Sequence, residues 1–207
     1  MTRNSVAPSP SLHHLVRRAG YGDLTAVARV LAAAFHDDPV VRWLVPDEAT
    51  RRADLTPIMR VFAARFQPHG ENCINETRTG AAVWQPPGAT YSPDDDARFE
   101  IALAAAAGEA VGRAAQLSEV MEAAHPTAPH HYLMLLGVQP DQQGTGIGSE
   151  LLRSVLDVAD AAGEPAYLEA TSPLNRALYE RHGFDVTGEL RCPDGPPLWA
   201  MWRDPRI

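Results

Sequence analysis

The sequence lacks the features that mark several large classes of protein. It contains only 2 cysteines, Cys73 and Cys192, and because they lie far apart and outside any Cys-x-x-Cys pair, neither a zinc site nor a disulfide framework is predicted. No apolar run reaches the length of a transmembrane helix. The polar stretch 1–11 lacks the apolar core of a signal peptide and is expected to be flexible. We therefore expect a cytoplasmic protein that has no membrane partner.

An excess of basic residues is also absent. The 207 residues include 18 basic and 26 acidic side chains, which gives a net charge of −8, so the positive surface that nucleic-acid binding requires is not expected. A negative chain is compatible with a cationic substrate such as an amine. Hydrophobic residues make up 45% of the sequence, and we expect one domain over residues 12–207 with a substantial core.

Hydrophobic periodicity and turn residues predict strands and helices in an irregular order. Leu15 is expected to face inward, 40–44 to form a short apolar turn and 91–96 to form a loop. Strands are predicted at 12–19, 72–77, 81–85, 131–138, 166–170, 184–190 and 198–202, and helices at 24–35, 48–66, 99–124 (one helix or two), 147–162 and 173–182. This order predicts an α/β fold in which helices cover both faces of a mixed sheet.

A glycine-rich turn follows the strand predicted at 131–138 and leads directly into a helix. Gly144, Gly146 and Gly148 lie in this turn. Glycines let a ligand approach the backbone closely, and the N–H groups at a helix start have no partner within the helix. The segment is therefore predicted to hold a pyrophosphate.

Two well-known nucleotide motifs do not match this turn. A P-loop requires Lys followed by Ser or Thr after the last glycine, whereas Ser149 and Glu150 follow Gly148. A dinucleotide-binding fingerprint requires Gly-x-Gly-x-x-Gly, whereas the spacing here is Gly-x-Gly-x-Gly. The ligand is therefore expected to be another pyrophosphate compound.

A second motif begins about twenty residues later. Ser172 and Pro173 suit the start of a helix, and Gly183 suits its end. Asn175 and Tyr179 are four residues apart and share one face of that helix.

Together these two segments resemble the GNAT superfamily of N-acetyltransferases. Gln143, Gly146 and Gly148 fill the pattern Gln-x-x-Gly-x-Gly of its acyl-CoA loop, and 179–184 matches the end of its Asn-x-x-x-x-Tyr-x-x-x-Gly-Phe signature. The gap between Asn and Tyr is one residue shorter here. Within the superfamily the chain is similar to the puromycin N-acetyltransferase type, in segments 30–35, 38–39, 82–84, 138–144, 168–171 and 179–184.

The resemblance implies a mostly antiparallel sheet of about six or seven strands and transfer of an acetyl group from acetyl-CoA to the primary amine of a small molecule, either an antibiotic or a metabolite. Tyr179 would protonate the departing thiolate, and a backbone N–H near Val138 would polarise the thioester carbonyl. A homodimer is a further expectation, since dimers are common in the family. The resemblance implies that acetyl-CoA contacts Leu136, Gly137, Val138, Gln143, Gly144, Thr145, Gly146, Ile147, Gly148, Ser149 and Asn175.

The proton acceptor and the acceptor amine are left open by the sequence. An alkylammonium must lose a proton before it can attack, and Glu169 could be that base, an anchor for the ammonium, or a solvated outer residue. Asp37 and Asp38 could line the acceptor pocket or form an exposed turn. Alternative functions are acetylation of a protein N-terminus or lysine, and acyl-CoA sensing without catalysis.

Histidines and tryptophans supply further candidates. His125, His130 and His131 precede the central strand, but no Cys or carboxylate stands at ligand spacing, so no metal site is expected. One of the three could still act as a base. Trp43 and Trp84 are expected to be core or pocket-wall residues.

Overall fold

The computed structural model describes residues 15–206, so the predicted flexible segment 1–11 and the start of the first predicted strand lie outside the described residues. The strands are β1 (Val16–Arg18), β2 (Cys73–Asn75), β3 (Gly80–Gln85), β4 (His131–Val138), β5 (Ala166–Ala170), β6 (Asp185–Arg191) and β7 (Pro197–Arg203). The helices are α1 (Leu24–Phe35), α2 (Pro39–Leu44), α3 (Glu48–Phe66), α4 (Pro93–Ala107), α5 (Val111–Ala124), α6 (Ile147–Ala162) and α7 (Pro173–Arg181).

All seven strands form one sheet in the order β1-β2-β3-β4-β5-β7-β6. Only β4 and β5 run parallel, and every other neighbouring pair is antiparallel. The crossover that a parallel pair requires is supplied by α6. The prediction of a mixed, mostly antiparallel sheet is therefore confirmed.

A β-bulge divides β4 into two halves. Val83 pairs with Leu135 and Trp84 pairs with Leu133, so Met134 is an extra residue on β4. A bulge bends its strand and increases the local twist. The parallel register with β5 ends at the same place, because Leu133 and Leu168 are its last partners. Beyond this point β4 and β5 diverge, and we call the space between 134–138 of β4 and the end of β5 the fork.

Helices cover both faces of the sheet, as predicted. On one face α1 and α3 pack on β3 through Leu31, Leu55 and Val83. On the other face α6 and α7 pack on β3, β4 and β5. Leu151 and Leu152 of α6 are fully buried there. The side chains of a strand alternate between the faces, so each residue beside the fork belongs to one face or the other.

Several local predictions were wrong or incomplete. Leu15 is 61% exposed, because the first strand is only three residues long and begins at Val16. Segment 40–44, predicted to be a turn, lies in a short helix whose first N–H groups bind the Asp38 carboxylate. The predicted loop 91–96 gives way to α4 at Pro93, where Ser92 forms a capping box with Asp95. The proline within α3, at position 57, does not divide the helix.

The alanine-rich segment forms two helices, α4 and α5, which meet near Gly108. Among residues 15–206, no helix is both long and apolar enough to span a membrane.

Candidate active site

The glycine-rich turn closes one end of the fork. Its backbone has positive φ at Gly144 (77°) and Gly146 (97°), the second of which precedes α6. Residues that have a Cβ rarely adopt these backbone angles. The Gln143 side-chain amide donates to the Val138 carbonyl at 3.2 Å, and the Thr145 hydroxyl donates to the Gln142 carbonyl at 2.6 Å. These bonds fold the turn back onto the end of β4.

The turn has the properties of an anion site. The N–H groups of Ile147, Gly148 and Ser149 lie in the first turn of the 16-residue helix α6, where no helical carbonyl can pair with them. The positive end of the helix dipole lies at the same place. No atom lies within 4 Å of the Cβ positions that a larger residue would have at Gly144 and Gly146. The turn therefore has open space, free N–H donors and positive potential, which suit a pyrophosphate.

The end of β4 contributes backbone more than side chains. A Cβ at Gly137 would lie 2.7 Å from the Cβ of Ala34, so the glycine at this position allows α1 to approach the strand. Ile147 as a whole is 1% exposed and its side chain fills the core, so this side chain offers no contact to a ligand. Leu136 and Val138 are partly buried against the α6 face. Beyond Leu133, β4 has no β5 partner along the fork, so this edge can pair with an extended ligand.

Tyr179 lies on the inner side of α7. The Ser172 hydroxyl accepts from the Asn175 N–H at 3.2 Å, and Pro173 occupies the first turn, as the sequence predicts. Tyr179 is 6% exposed, and its ring centroid lies 6.0 Å from that of Phe184. Burial, and after it the negative charge of Asp38, raises the pKa of Tyr179 well above its usual range. The phenol is therefore neutral and can donate a proton.

Asn175 takes part in a hydrogen-bond chain at the rim of the fork. Its amide donates to the Thr171 hydroxyl at 3.4 Å, and that hydroxyl donates to Asp38. The second Asp38 oxygen accepts from the N–H groups of Val40 and Val41 at 2.9 and 3.3 Å. Asp38 is therefore a buried cap that ties α2 to the start of α7, whereas its neighbour Asp37 is exposed.

Glu169 is not a solvated outer residue. One carboxylate oxygen accepts from the Tyr132 hydroxyl at 2.9 Å, and the other is buried without a partner among the described residues. Burial raises the pKa of Glu169 to about 7, although hydrogen bonding from Tyr132 opposes the shift. The Tyr167 hydroxyl is near this carboxylate but outside hydrogen-bond geometry. Because Leu168 and Ala170 pack with Tyr179, Glu169 points to the opposite face of the sheet.

The three histidines have separate environments. The His125 ring lies 4.8 Å from that of Tyr132, and His130 binds the Ala128 carbonyl at 2.7 Å. The ring of His131 bridges Glu71 at 3.2 Å and Glu164 at 2.8 Å, at the start of β4, where β4 and β5 are still paired. Within the part of the chain that the structure describes, no three His, Cys, Asp or Glu residues are arranged to hold a metal.

Sequence reasoning missed two contacts of the candidate residues. Tyr132 binds Glu169 across 37 positions, and His182 lies 3.0 Å from the Ser149 hydroxyl across 33 positions. Neither pair has a sequence signal, because each contact depends on how the strands and helices are placed. Trp84 is fully buried in the core, which is one of the two roles predicted for it.

Comparison with known proteins agrees with this geometry. Residues 71–184 match the sequence model of the Acetyltransferase (GNAT) family. An uncharacterized N-acetyltransferase of Schizosaccharomyces pombe is 38% identical over 77 residues, which cover 36% of this chain and only 31% of that protein.

Solved structures match nearly the whole chain. A Corynebacterium glutamicum structure, described as histone acetyltransferase HPA2 and related acetyltransferase, has a TM-score of 0.64 at 25% identity, with 93% of this chain and 96% of that chain covered. The Drosophila melanogaster polyamine N-acetyltransferase, which forms N-acetylagmatine, has a TM-score of 0.61 at 18% identity and shows the same fold; 92% of this chain and 99% of that chain are covered. The family match spans more than half of the chain and includes both the glycine turn and Tyr179, and this chain therefore belongs to the GNAT family of acetyltransferases.

Proposed function

We propose that this acetyltransferase moves the acetyl group of acetyl-CoA to the primary amine of a small molecule. The observation that carries the proposal is the fork, whose open β4 edge leads directly into the glycine-rich turn at the start of α6. An extended donor with a pyrophosphate at one end would fit this layout. Acetyl-CoA supplies the thioester whose acetyl group is transferred.

Backbone groups would bind the donor. The N–H groups from Gly144 to Ser149 are the proposed phosphate ligands, and the exposed edge near Val138 is the proposed partner of the donor's extended arm. A backbone N–H on this edge would also donate to the thioester carbonyl oxygen. Asn175 already binds Thr171, so we assign it to the rim of the fork and propose that it reaches the donor from there.

Two side chains would move protons. Glu169 would take a proton from the amine, because a carboxyl with a pKa of about 7 is ionised in half of the molecules near neutral pH and can accept one. Tyr179 would donate its hydroxyl proton to the departing sulfur. The two groups lie on opposite faces of the sheet, so base and acid would act from opposite sides of the fork.

The acceptor is proposed to be a small amine. The Drosophila enzyme is named for polyamines, and the net charge of −8 favours a cationic acceptor. An antibiotic of the puromycin kind is a narrower proposal that rests on the sequence resemblance alone. Cytoplasmic location, one domain over 12–207 and a homodimer stay predictions.

Release of the CoA thiol from acetyl-CoA tests the proposal. The panel of acceptors comprises agmatine, spermidine, arylalkylamines, puromycin, aminoglycosides, amino acids and peptides. Release with one class of small amine is expected. Release only with peptides would contradict the proposed acceptor, and acetyl-CoA binding without release would favour a sensor.

A further inference from the structure

A histidine of the 179–184 motif contacts the start of α6, beside the glycine-rich turn. His182 follows α7 directly, and its Nε2 lies 3.0 Å from the Ser149 hydroxyl oxygen. Ser149 is the third residue of α6, so its N–H is one of the free donors at the proposed phosphate site. The His182 ring therefore lies directly behind the turn, and Ser149 joins the two.

The direction of this hydrogen bond decides what Ser149 can offer a ligand. A serine hydroxyl has one proton. If Ser149 donates that proton to His182, only oxygen lone pairs face the site, and these repel a phosphate oxygen. If His182 donates from Nε2, the Ser149 proton is free to bind a phosphate.

Four arginines surround His182, although the chain as a whole is negative. Arg153 of α6, Arg181 of α7, Arg203 of β7 and Arg206 beyond β7 lie near enough to act on the ring. Arg153 is paired with Glu150, and Arg203 is paired with Asp160, each at 2.6 Å. Within residues 15–206, the histidine ion pairs all belong to His131, so no carboxylate oxygen lies within 4.0 Å of a ring nitrogen of His182.

A cation on His182 would therefore have no negative partner until an anion enters the turn. Burial first, and then these arginines, lower the pKa of His182 in the free protein, which favours the neutral ring, whose Nε2 can either donate to Ser149 or accept from it. A bound pyrophosphate would supply the missing negative charge and favour the protonated ring, which can only donate to Ser149.

We propose that His182 is a positioning residue of the donor site, which takes up a proton when a pyrophosphate binds and thereby turns the Ser149 hydroxyl toward the phosphate. This inference rests on the proposed function, because it assumes that the turn binds CoA. Binding should then tighten as the pH falls, by up to about tenfold per pH unit in the range where one proton is taken up.

Titration calorimetry with 3′-dephospho-CoA tests the proposal between pH 6 and pH 8.5. This probe keeps the pyrophosphate but lacks the terminal phosphate, which titrates near pH 6 itself. Repeating each titration in buffers with different heats of ionisation measures proton uptake directly. We expect the wild-type protein to take up a proton and to bind more tightly at low pH.

Two variants at position 182 separate the hydrogen bond from the titration. His182→Gln keeps an N–H donor that does not titrate, so binding should persist while proton uptake disappears. His182→Leu removes the donor, and binding should weaken about tenfold at pH 6. His36 is a partly exposed histidine at the end of α1, and His36→Gln is the matched control. This variant should leave both the proton uptake and the affinity for the probe unchanged.

Ser149→Ala keeps the test decisive if a histidine variant does not fold. Ser149→Ala should weaken binding at pH 6 about as much as His182→Leu does. The double variant with both substitutions should bind no more weakly than either single variant. Unchanged proton uptake in His182→Gln, or wild-type binding without uptake, would overturn the inference and leave the proposed function intact. A wild-type protein that binds no CoA at any pH would refute both.

Discussion

The buried carboxyl of Glu169 makes a prediction that can be tested without knowing the acceptor amine. Replacement by Gln keeps the size of the side chain, and its carbonyl oxygen can still accept from the Tyr132 hydroxyl. Its amide group would occupy the place of the oxygen that has no partner. We therefore expect Glu169→Gln to fold, and we expect its stability to depend on pH differently from that of the wild type.

The magnitude follows from the pKa of Glu169, which burial raises from 4.5 to about 7. Because the folded-state pKa is the higher one, the stability that this group contributes is complete below pH 4.5 and is lost as the pH rises through 7. Each pKa unit corresponds to about 1.4 kcal/mol, so the full effect is roughly 3 kcal/mol, and about 2 kcal/mol of it falls between pH 5.5 and pH 8.5.

Urea denaturation of both proteins at pH 5.5 and pH 8.5 measures this quantity. The free energy of unfolding of Glu169→Gln, relative to wild type, should be about 2 kcal/mol larger at the higher pH, because the wild type alone loses stability there. Glu100→Gln, at an exposed position of α4, is the control and should show no such trend. The same difference at both pH values would refute the claim that Glu169 titrates near neutrality in the folded protein. With an acceptor in hand, the rate should also fall about 10²–10⁴-fold.

Other substitutions test the remaining parts of the site. Tyr179→Phe should lower kcat about 10²–10⁴-fold while the Kd for acetyl-CoA stays within about twofold; equal losses in both would contradict its role as an acid. Gly146→Val should abolish acetyl-CoA binding in calorimetry, because a β-branched residue cannot adopt a φ of 97°, whereas Gly112→Ala in α5 should bind normally. His131→Gln should lower the free energy of unfolding at pH 6 but hardly at pH 9. Burial lowers the pKa of His131, but hydrogen bonds to two glutamates outweigh it and raise the pKa overall, so this stabilisation fades as the pH rises; an equal loss at both pH values would exclude a charged His131.

The parts of the fold that the sequence predicted well are those with local causes. The helix after the glycine turn begins and ends at glycines with positive φ, and α7 begins at a serine cap followed by Pro173. Such features act within a few residues, so a sequence can reveal them. Segment 40–44 was misassigned because the Asp38 cap that starts its helix resembles an ordinary Asp-Pro turn. The burial of Glu169 depends on strand pairing that brings Tyr132 beside it, and no local pattern encodes that pairing.

The order of the strands has a consequence for synthesis on the ribosome. The strand made last of the seven, β7, lies between β5 and β6 and, among residues 15–206, is the only sheet neighbour of β6. The β4-α6-β5 unit can form before β7 is made, because its strands and helix follow one another in the chain and its contacts are local. The edge of β5 that pairs with β7, including the backbone of Glu169, stays unpaired until β7 has been synthesised and inserts. A stalled or shortened chain that ends before β7 would therefore contain the end of β4, the glycine-rich turn and α7. Its β5 edge would remain unpaired, and an unpaired strand edge promotes aggregation.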